Sequence, residues 1–409
     1  MTLPTVSVVV VSRGRPVALA RCLTAVAQLR YPCFEIVVVA DTPAMAEIRQ
    51  MDLFDGLKAV EFDDANISVA RNHGIRVSAG EIIAFIDDDS VPEPSWLSHL
   101  ASPFEHANVV AAGGFVRGRN GISYQWKAQS IGEDGFATDL DVESDCPVVL
   151  TPTGSAGIKT QGTNMAFRRS VLAKLGGFDS SFHYFHEETD MNIRLAKGGY
   201  LTAIVPLAEV HHGYASNPGR APNRVPTDLF QVGASWAVFL RKHCPETRRE
   251  RIWQDVQKGE KRRALRHLVS GGMEPRDVTA LMRSLRAGFV EGTGRDAVSL
   301  PPLSGTPPDF KPYRRENSRS SELICGRIWN ARKLKRRARR MVRDGHVVTL
   351  ILLSHTALFH RVQFHSDGYW VQRGGLFGRS DRDSRLVRAF SFRRRIRAER
   401  ERVAVQRLF

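Results

Sequence analysis

"EIIAFIDDDSVPEPSWL", residues 81–97, runs an apolar stretch, Ile82–Ile86, straight into three adjacent carboxylates, Asp87, Asp88 and Asp89. A short apolar run bounded by turn formers has the pattern of a strand buried on both faces. Three neighbouring acids repel one another and gain nothing from burial. Either water solvates them in a turn, where they could also cap a helix beginning near Pro92, or a cation holds them.

Toward the N-terminus the same strand signal recurs. Val6–Val11 is a β-branched run, and "FEIVVVADTP", residues 34–43, ends at Asp41 and a turn at Pro43. Between them Val17, Leu19, Ala20, Leu23, Val26 and Ala27 have helical spacing, and "ISVARNHGIRVSAG", residues 67–80, reads as a helix stopped at Gly80. Strand, helix, strand, helix, strand predicts a parallel sheet with right-handed crossovers. Ligands of such sheets bind beyond the carboxyl ends of the strands. Asp41 and Asp87–Asp89 then share one rim.

Toward the C-terminus, "PEPSWLSHLASPFEH" predicts a helix after a turn, and residues 116–160 have no firm pattern. A helix is expected from Arg169 to Leu175. Another follows the acids of "HEETDMNIRLAKGGY", residues 186–200, and two short strands end in the pair His211–His212. Residues 228–266 read as helical, and the Gly-, Pro- and Ser-rich residues 292–313 as a linker. Beyond lie a basic helix in "RIWNARKLKRRARRMVRDG", residues 327–345, a hairpin signal at Asp367–Gly368, and a last Arg-rich helix from about Arg385. The expected division is 1–225, 226–291, 292–313 and 314–409.

The chain has 409 residues, too many for one ordinary core. Its formal charge of +16 is unevenly placed: residues 311–409 hold 26 Lys and Arg against 8 Asp and Glu, so the remainder is near neutral. Such a segment suits an anionic membrane surface, nucleic-acid phosphates, or simply a solvated helix face. Five scattered cysteines show no zinc spacing and fit a reducing compartment. "MTLPTVSVVVVSRGRP" reads as a first strand rather than a signal peptide, and no apolar stretch reaches the roughly 18–20 residues of a membrane span.

The segments "VSVVVVSRGRPVALARCL", "EIVVVADTP", "NISVARNHGI", "TQGTNMAFRRSVLAKLGGFD", "HEETDMNIRLAKGGY" and "AEVHHGYAS", in this order over roughly residues 5–220, resemble family 2 glycosyltransferases of the GT-A fold. The resemblance implies a Rossmann-like, mixed, mainly parallel α/β sheet flanked by helices, here with a helical and basic C-terminal extension. It implies that Asp87 and Asp89 coordinate a divalent metal on the donor's diphosphate, Mn2+ or Mg2+, hard cations that carboxylates suit. Asp41 would contact the nucleotide base, and Ser12, Arg13, Arg15, Arg71, Asn72 and Asp88 would line the donor pocket. His211 would complete the metal site, and Trp96, Thr163 and Asn164 would shape the sugar pocket. The catalytic base would lie in Glu187–Asp190: Glu188, with Asp190 as second choice, since an attacking hydroxyl must lose a proton. The family usually shows Asp where this chain has Glu188, and Ala40 stands where a second acid is common. Each position has a plainer structural reading beside this one: a turn at Asp41, helix-surface charge at Arg15, helix N-terminal acids at Glu187 and Asp190.

The expected activity is inverting, metal-dependent transfer of a sugar from a nucleotide diphosphate to a hydroxyl of a glycan, polysaccharide or lipid-linked sugar. The expected location is cytoplasmic, peripheral on the inner face of the membrane, within cell-envelope polysaccharide synthesis. A non-catalytic GT-A-like scaffold with a membrane- or nucleic-acid-binding tail is the alternative. A nucleotidyltransferase would need a glycine-rich phosphate loop that "SRGRP" matches poorly.

Overall fold

The computed structural model describes residues 3–143, 145–213, 215, 219–296, 299–313, 320–383, 385 and 391–409. The predicted alternation is present as β1 (Val6–Ser12), α1 (Pro16–Val26), β2 (Phe34–Ala40), α2 (Thr42–Ile48), β3 (Leu57–Glu61), α3 (Ile67–Val77) and β4 (Ile82–Asp87). Two of these were not expected. Pro43 starts α2 instead of only marking a turn. β3 is an edge strand whose half-exposed residues give no apolar run.

The chain continues with β5 (Ser90–Pro92), α4 (Trp96–Ala101), β6 (Val109–Arg117), β7 (Asn164–Arg168), α5 (Arg169–Lys174), α6 (Glu187–Lys197) and β8 (Leu201–His212). β8 is one strand where two were expected. Its pairing with β6 is interrupted between Val205 and Val210, at Pro206, which has no N–H to donate. Among the described residues, 118–160 hold five strands of three residues each, too short to show a period. The main sheet runs Val148–Leu150, β8, β6, β7, β4, β1, β2, β3. β1 is parallel to β2 and β4, while β7 is antiparallel to both its neighbours. This is the mixed, mainly parallel α/β body expected of a GT-A fold.

Alternation along β1 divides its side chains between two cores. Val6, Val8 and Val10 pack with Leu19, Leu23 and Val26 of α1. Val9 joins Val37, Ile75 and Phe85 on the opposite face, where α3 lies so close that a Cβ on Gly74 would sit 2.5 Å from Val9 Cγ1. Each fully buried Val or Ile contributes about 1.5–3 kcal/mol, and this fixes the strand ends that carry the acids.

The helical stretch is α7 (Phe230–His243) and α8 (Glu246–Val269), broken at Pro245, followed by α9 (Pro275–Gly294). The predicted linker therefore starts inside α9. Residues 297–298 lie outside the described residues. The rest is strapped to the body: Leu303 N–H donates to the Ala173 carbonyl at 2.8 Å and Tyr313 N–H to the Phe34 carbonyl at 2.8 Å.

The basic segment is folded. β9 (Ser321–Arg327), α10 (Ala331–Arg343), β10 (Val347–Ser354), β11 (Arg361–His365), β12 (Tyr369–Gly375) and α11 (Phe392–Arg407) form a four-stranded sheet, ordered β9–β10–β12–β11, with helices against it. The hairpin at Asp367–Gly368 is present, with Gly368 at φ 82°. The last helix begins at Phe392, capped by Ser391; residues 386–390, where its start was expected, lie outside the described residues. Val362, Phe364 and Trp370 of this sheet pack with Ala25 and Val91 of the body. Among the described residues no helix is long and apolar enough to cross a membrane.

Candidate functional site

The carboxyl ends of β1, β2 and β4 bring the predicted acids together. Asp41 caps α2, accepting from the Ala44 N–H at 3.2 Å through one oxygen and from the Gly14 N–H at 2.7 Å through the other. A cap of this kind is worth about 1 kcal/mol. Ser12 Oγ and Arg15 Nη1 each donate to Asp88 at 2.7 Å. Asp88 is thus turned inward, and burial pushes its carboxyl up to about 6 against the pull of Arg15. Arg13 is exposed, with its Nε on the Asp63 carbonyl at 2.9 Å. Asn72 bonds both the N–H and the carbonyl of Phe178, so it props a loop.

Asp87 is the most open of the three acids, its side chain 27% exposed. It accepts from Thr163 Oγ1 at 2.7 Å and from Arg71 Nη2 at 3.4 Å. Asp89 accepts from the Ala215 N–H at 2.6 Å and lies 3.2 Å from His212 Nε2. Burial opposes its ionisation, but the His212 hydrogen bond and Arg15 hold it at about 2. Ligand atoms of Asp87, Asp89 and His212 lie within 4.8 Å of one another. Two carboxylates and an imidazole are a donor set that suits a divalent cation such as Mn2+ or Mg2+.

Sequence reasoning chose His211 for this place, but the structure puts His212 there. Successive strand residues point to opposite faces, so His211 instead meets Glu93 at 2.8 Å. Glu93 also receives two hydrogen bonds at 3.0 Å from Arg407 of α11, and both residues are buried. Nearby Glu209 pairs with Arg117 at 2.7 Å and with the Tyr124 hydroxyl. Glu93, Glu209 and His211 also lie close enough to hold a metal. Their arginine partners already neutralise the acids, so this cluster is an ion-pair network.

The second acidic cluster opens α6. Phe185 and His186 precede it at φ 71° and 72°, left-handed values that cost non-glycine residues about 1–3 kcal/mol each. Glu187 pairs with Arg71 at 2.7 Å. Its burial and the neighbouring Glu188 charge push its carboxyl up to about 7. Glu188 lies 3.3 Å from Lys159, which holds it below the usual range against its burial. The Glu188 side chain is 15% exposed, whereas Asp190 has no exposed side-chain surface. Asp190 is held by Arg194 at 2.8 Å, His243 at 2.8 Å and Lys242 at 2.7 Å. Of the two candidate bases, Glu188 has the accessible edge and Asp190 ties α6 to α7.

Arg71 joins the two clusters. This buried guanidinium lies over the Phe178 ring at 5.4 Å and bridges Glu187 on α6 to Asp87 on β4. Trp96 Nε1 donates to Asn164 Oδ1 at 2.8 Å, and the Asn164 amide reaches the Phe115 and Ala208 carbonyls, so this pair braces β6 and β8. Sequence reasoning missed Lys159 and Arg407. Lys159 lies in the stretch without a pattern, and Arg407 is 314 residues from Glu93.

Residues 7–176 match the family model described as glycosyl transferase family 2. The chain is 27% identical over 225 residues to the O-antigen biosynthesis protein RfbC of Myxococcus xanthus, covering 52% of this chain and 18% of that protein. It is 28% identical over 223 residues to the probable glycosyltransferase YdaM of Bacillus subtilis, covering half of each. A 61-residue segment is 41% identical to the N-acetylglucosaminyl-diphospho-decaprenol L-rhamnosyltransferase of Mycobacterium tuberculosis, covering 15% of this chain and 20% of that enzyme. The chain thus spans half or less of each of these relatives. Among solved structures, the mannosyltransferase PcManGT from Pyrobaculum calidifontis, in complex with GDP-Man and Mn2+, aligns with a TM-score of 0.46 at 17% identity, over 72% of this chain and 88% of that one.

Proposed function

We propose, from the premise that residues 7–176 are a family 2 glycosyltransferase domain, that the chain transfers a sugar from a nucleotide diphosphate to a hydroxyl acceptor with inversion. The observation that carries this reading is the Arg71 bridge, which sets the carboxylate pair of α6 and the Asp87 rim on one wall. Asp87, Asp89 and His212 would hold a divalent cation, which supplies charge stabilisation to the departing nucleotide diphosphate. Glu188, kept ionised by Lys159, accepts the proton of the attacking hydroxyl. Glu187 and Arg71 fix the start of α6, so that the base keeps its position relative to the rim. Displacement is direct and needs one base. A glycan or lipid-linked sugar as acceptor accords with what the names of the relatives say of those proteins.

We further propose that residues 314–409 rest on an anionic membrane at the cytoplasmic face. The outer face of α10 supports this: Arg332, Lys333, Arg336, Arg337 and Arg340 are exposed, beside exposed Ile328 and Trp329. Each basic residue near such a surface is worth about 1 kcal/mol.

The test is Mn2+-dependent binding and slow hydrolysis across UDP-, dTDP- and GDP-sugars, wild type against Asp89→Asn. Binding of one donor, lost in the variant, is expected. No binding to any donor with Mn2+ or Mg2+ present would favour a non-catalytic scaffold.

A further inference from the structure

Two exposed aromatic side chains pack on a ring that also holds His186, the residue before α6. Phe185, three residues before Glu188, is 38% exposed, and Phe136 is 42% exposed. They come from different parts of the chain but flank one buried ring, Trp236 of α7. The Phe136 and Phe185 centroids lie 5.5 Å and 6.4 Å from it. Phe136 follows the tip of a hairpin joining strands Gln129–Ile131 and Ala137–Asp139. That tip presses on Trp236 so closely that a Cβ on Gly135 would sit 2.6 Å from its ring.

The Phe185 loop is held in an unfavourable state. Phe185 and His186 both have left-handed backbones, and consecutive non-glycine residues of this kind are uncommon. His186 is 3% exposed, stacked on Phe239 at 4.9 Å and edge-on to Trp236 at 4.4 Å. Neither of its ring nitrogens meets a hydrogen-bond partner among the described residues. Backbone strain and a buried, unbonded imidazole both oppose stability, and they coincide at the residues that turn Phe185 outward. Native structures retain such combinations where a site needs them.

We propose that Phe136 and Phe185 form a platform for the apolar face of an acceptor sugar ring, placing one of its hydroxyls toward Glu188. This rests on the reading of Glu188 as the base. Flat aromatic faces offer large contact area to C–H-rich surfaces, and a pyranose with several axial C–H bonds on one face presents such a surface. His186 is a positioning residue: its wedged ring holds the turn that displays Phe185. The acceptor class is therefore a glycoside terminus rather than a free lipid or a protein side chain.

The experiment reads binding apart from catalysis. Saturation-transfer difference NMR on the full chain would use methyl glycosides of glucose, mannose, galactose, rhamnose and N-acetylglucosamine as probes, with octyl phosphate as the lipid-chain control. Variants are Phe136→Ser and Phe185→Asn, the second chosen because Asn tolerates the left-handed backbone. At least one glycoside should show transfer concentrated on one ring face, reduced at least five-fold in each variant, with donor hydrolysis within two-fold of wild type. No glycoside signal at tens of millimolar, signals unchanged in both variants, or signals only from octyl phosphate would each overturn the platform. Loss of all donor binding in the wild type, with the face-selective glycoside signal intact, would instead sink the reading of the donor site and leave the platform standing.

Discussion

Replacing Arg407 with Met should loosen the contact between the C-terminal sheet and the body, in a pH-dependent way. Arg407 is 1% exposed, donates to both Glu93 oxygens at 3.0 Å and lies over the Trp370 ring at 4.4 Å. Met keeps much of the apolar contact, so the substitution chiefly removes the charge. Taking one partner from a buried ion pair costs about 3–5 kcal/mol, because the other is left uncompensated. Glu93 would retain His211 at 2.8 Å. In the wild type, burial lowers the His211 pKa, Glu93 raises it, and the cations of Arg117 and Arg407 lower it again. Deleting Arg407 removes one lowering influence, so the folded-state value rises. If it passes the ordinary 6.5, His211 contributes stability that is complete below 6.5 and lost as pH climbs through the folded value. The deficit of Arg407→Met should be close to the full 3–5 kcal/mol at pH 8.5. At pH 5.5 it should be smaller, by at most about 1.4 kcal/mol for each unit the folded pKa has risen. Amide hydrogen exchange over residues 392–409, corrected for intrinsic rates, measures the opening free energy at each pH. Wild-type protection at pH 8.5, or a deficit equal at both pH values, would refute the reasoning.

Four further outcomes are expected. His212→Ala should weaken Mn2+-dependent donor binding at least ten-fold by calorimetry, since it removes one of the three convergent donors; unchanged affinity would remove it from the metal site. Glu188→Gln should lower transfer about 10³-fold with the melting temperature unchanged. Asp190→Asn should destabilise by about 3 kcal/mol in urea, because Arg194 and Lys242 lose their buried counter-charge; the reverse pattern would exchange their roles. Because folding raises the Glu187 pKa to about 7, its contribution is complete below its ordinary 4.5 and lost as pH rises through 7. Stability against urea should therefore fall over that interval in the wild type and be flatter in Glu187→Gln; equal slopes would remove Glu187 as the cause.

The first half of the fold was legible because its strands are buried on both faces. Runs such as Phe34–Ala40 and Ile82–Ile86 carry their own signal, and the acids that follow them, Asp41 and Asp87, mark the rim. A choice between neighbours was not legible. His211 and His212 are one residue apart and face opposite ways, so the assignment turns on the phase of β8, which Pro206 obscures. Asp190 and Glu188 likewise share a helix start, and only the partners brought by α7 separate a buried strut from an accessible carboxylate.

The basic segment shows the same limit at longer range. Its charge reads as a solvated or anion-binding surface because net charge counts cations without their partners. Arg395 in fact lies 2.9 Å from Glu399, buried beside the network of Gln372 and His360, and Arg407 crosses to Glu93. These cations specify a docked sheet, while those on the outer face of α10 are exposed. One composition thus serves two purposes, and the partition follows from tertiary pairing. A test of membrane attachment therefore belongs on Arg332, Lys333, Arg336, Arg337 and Arg340. Removing charge from α11 would undock the sheet, and lost attachment there would say nothing about the membrane.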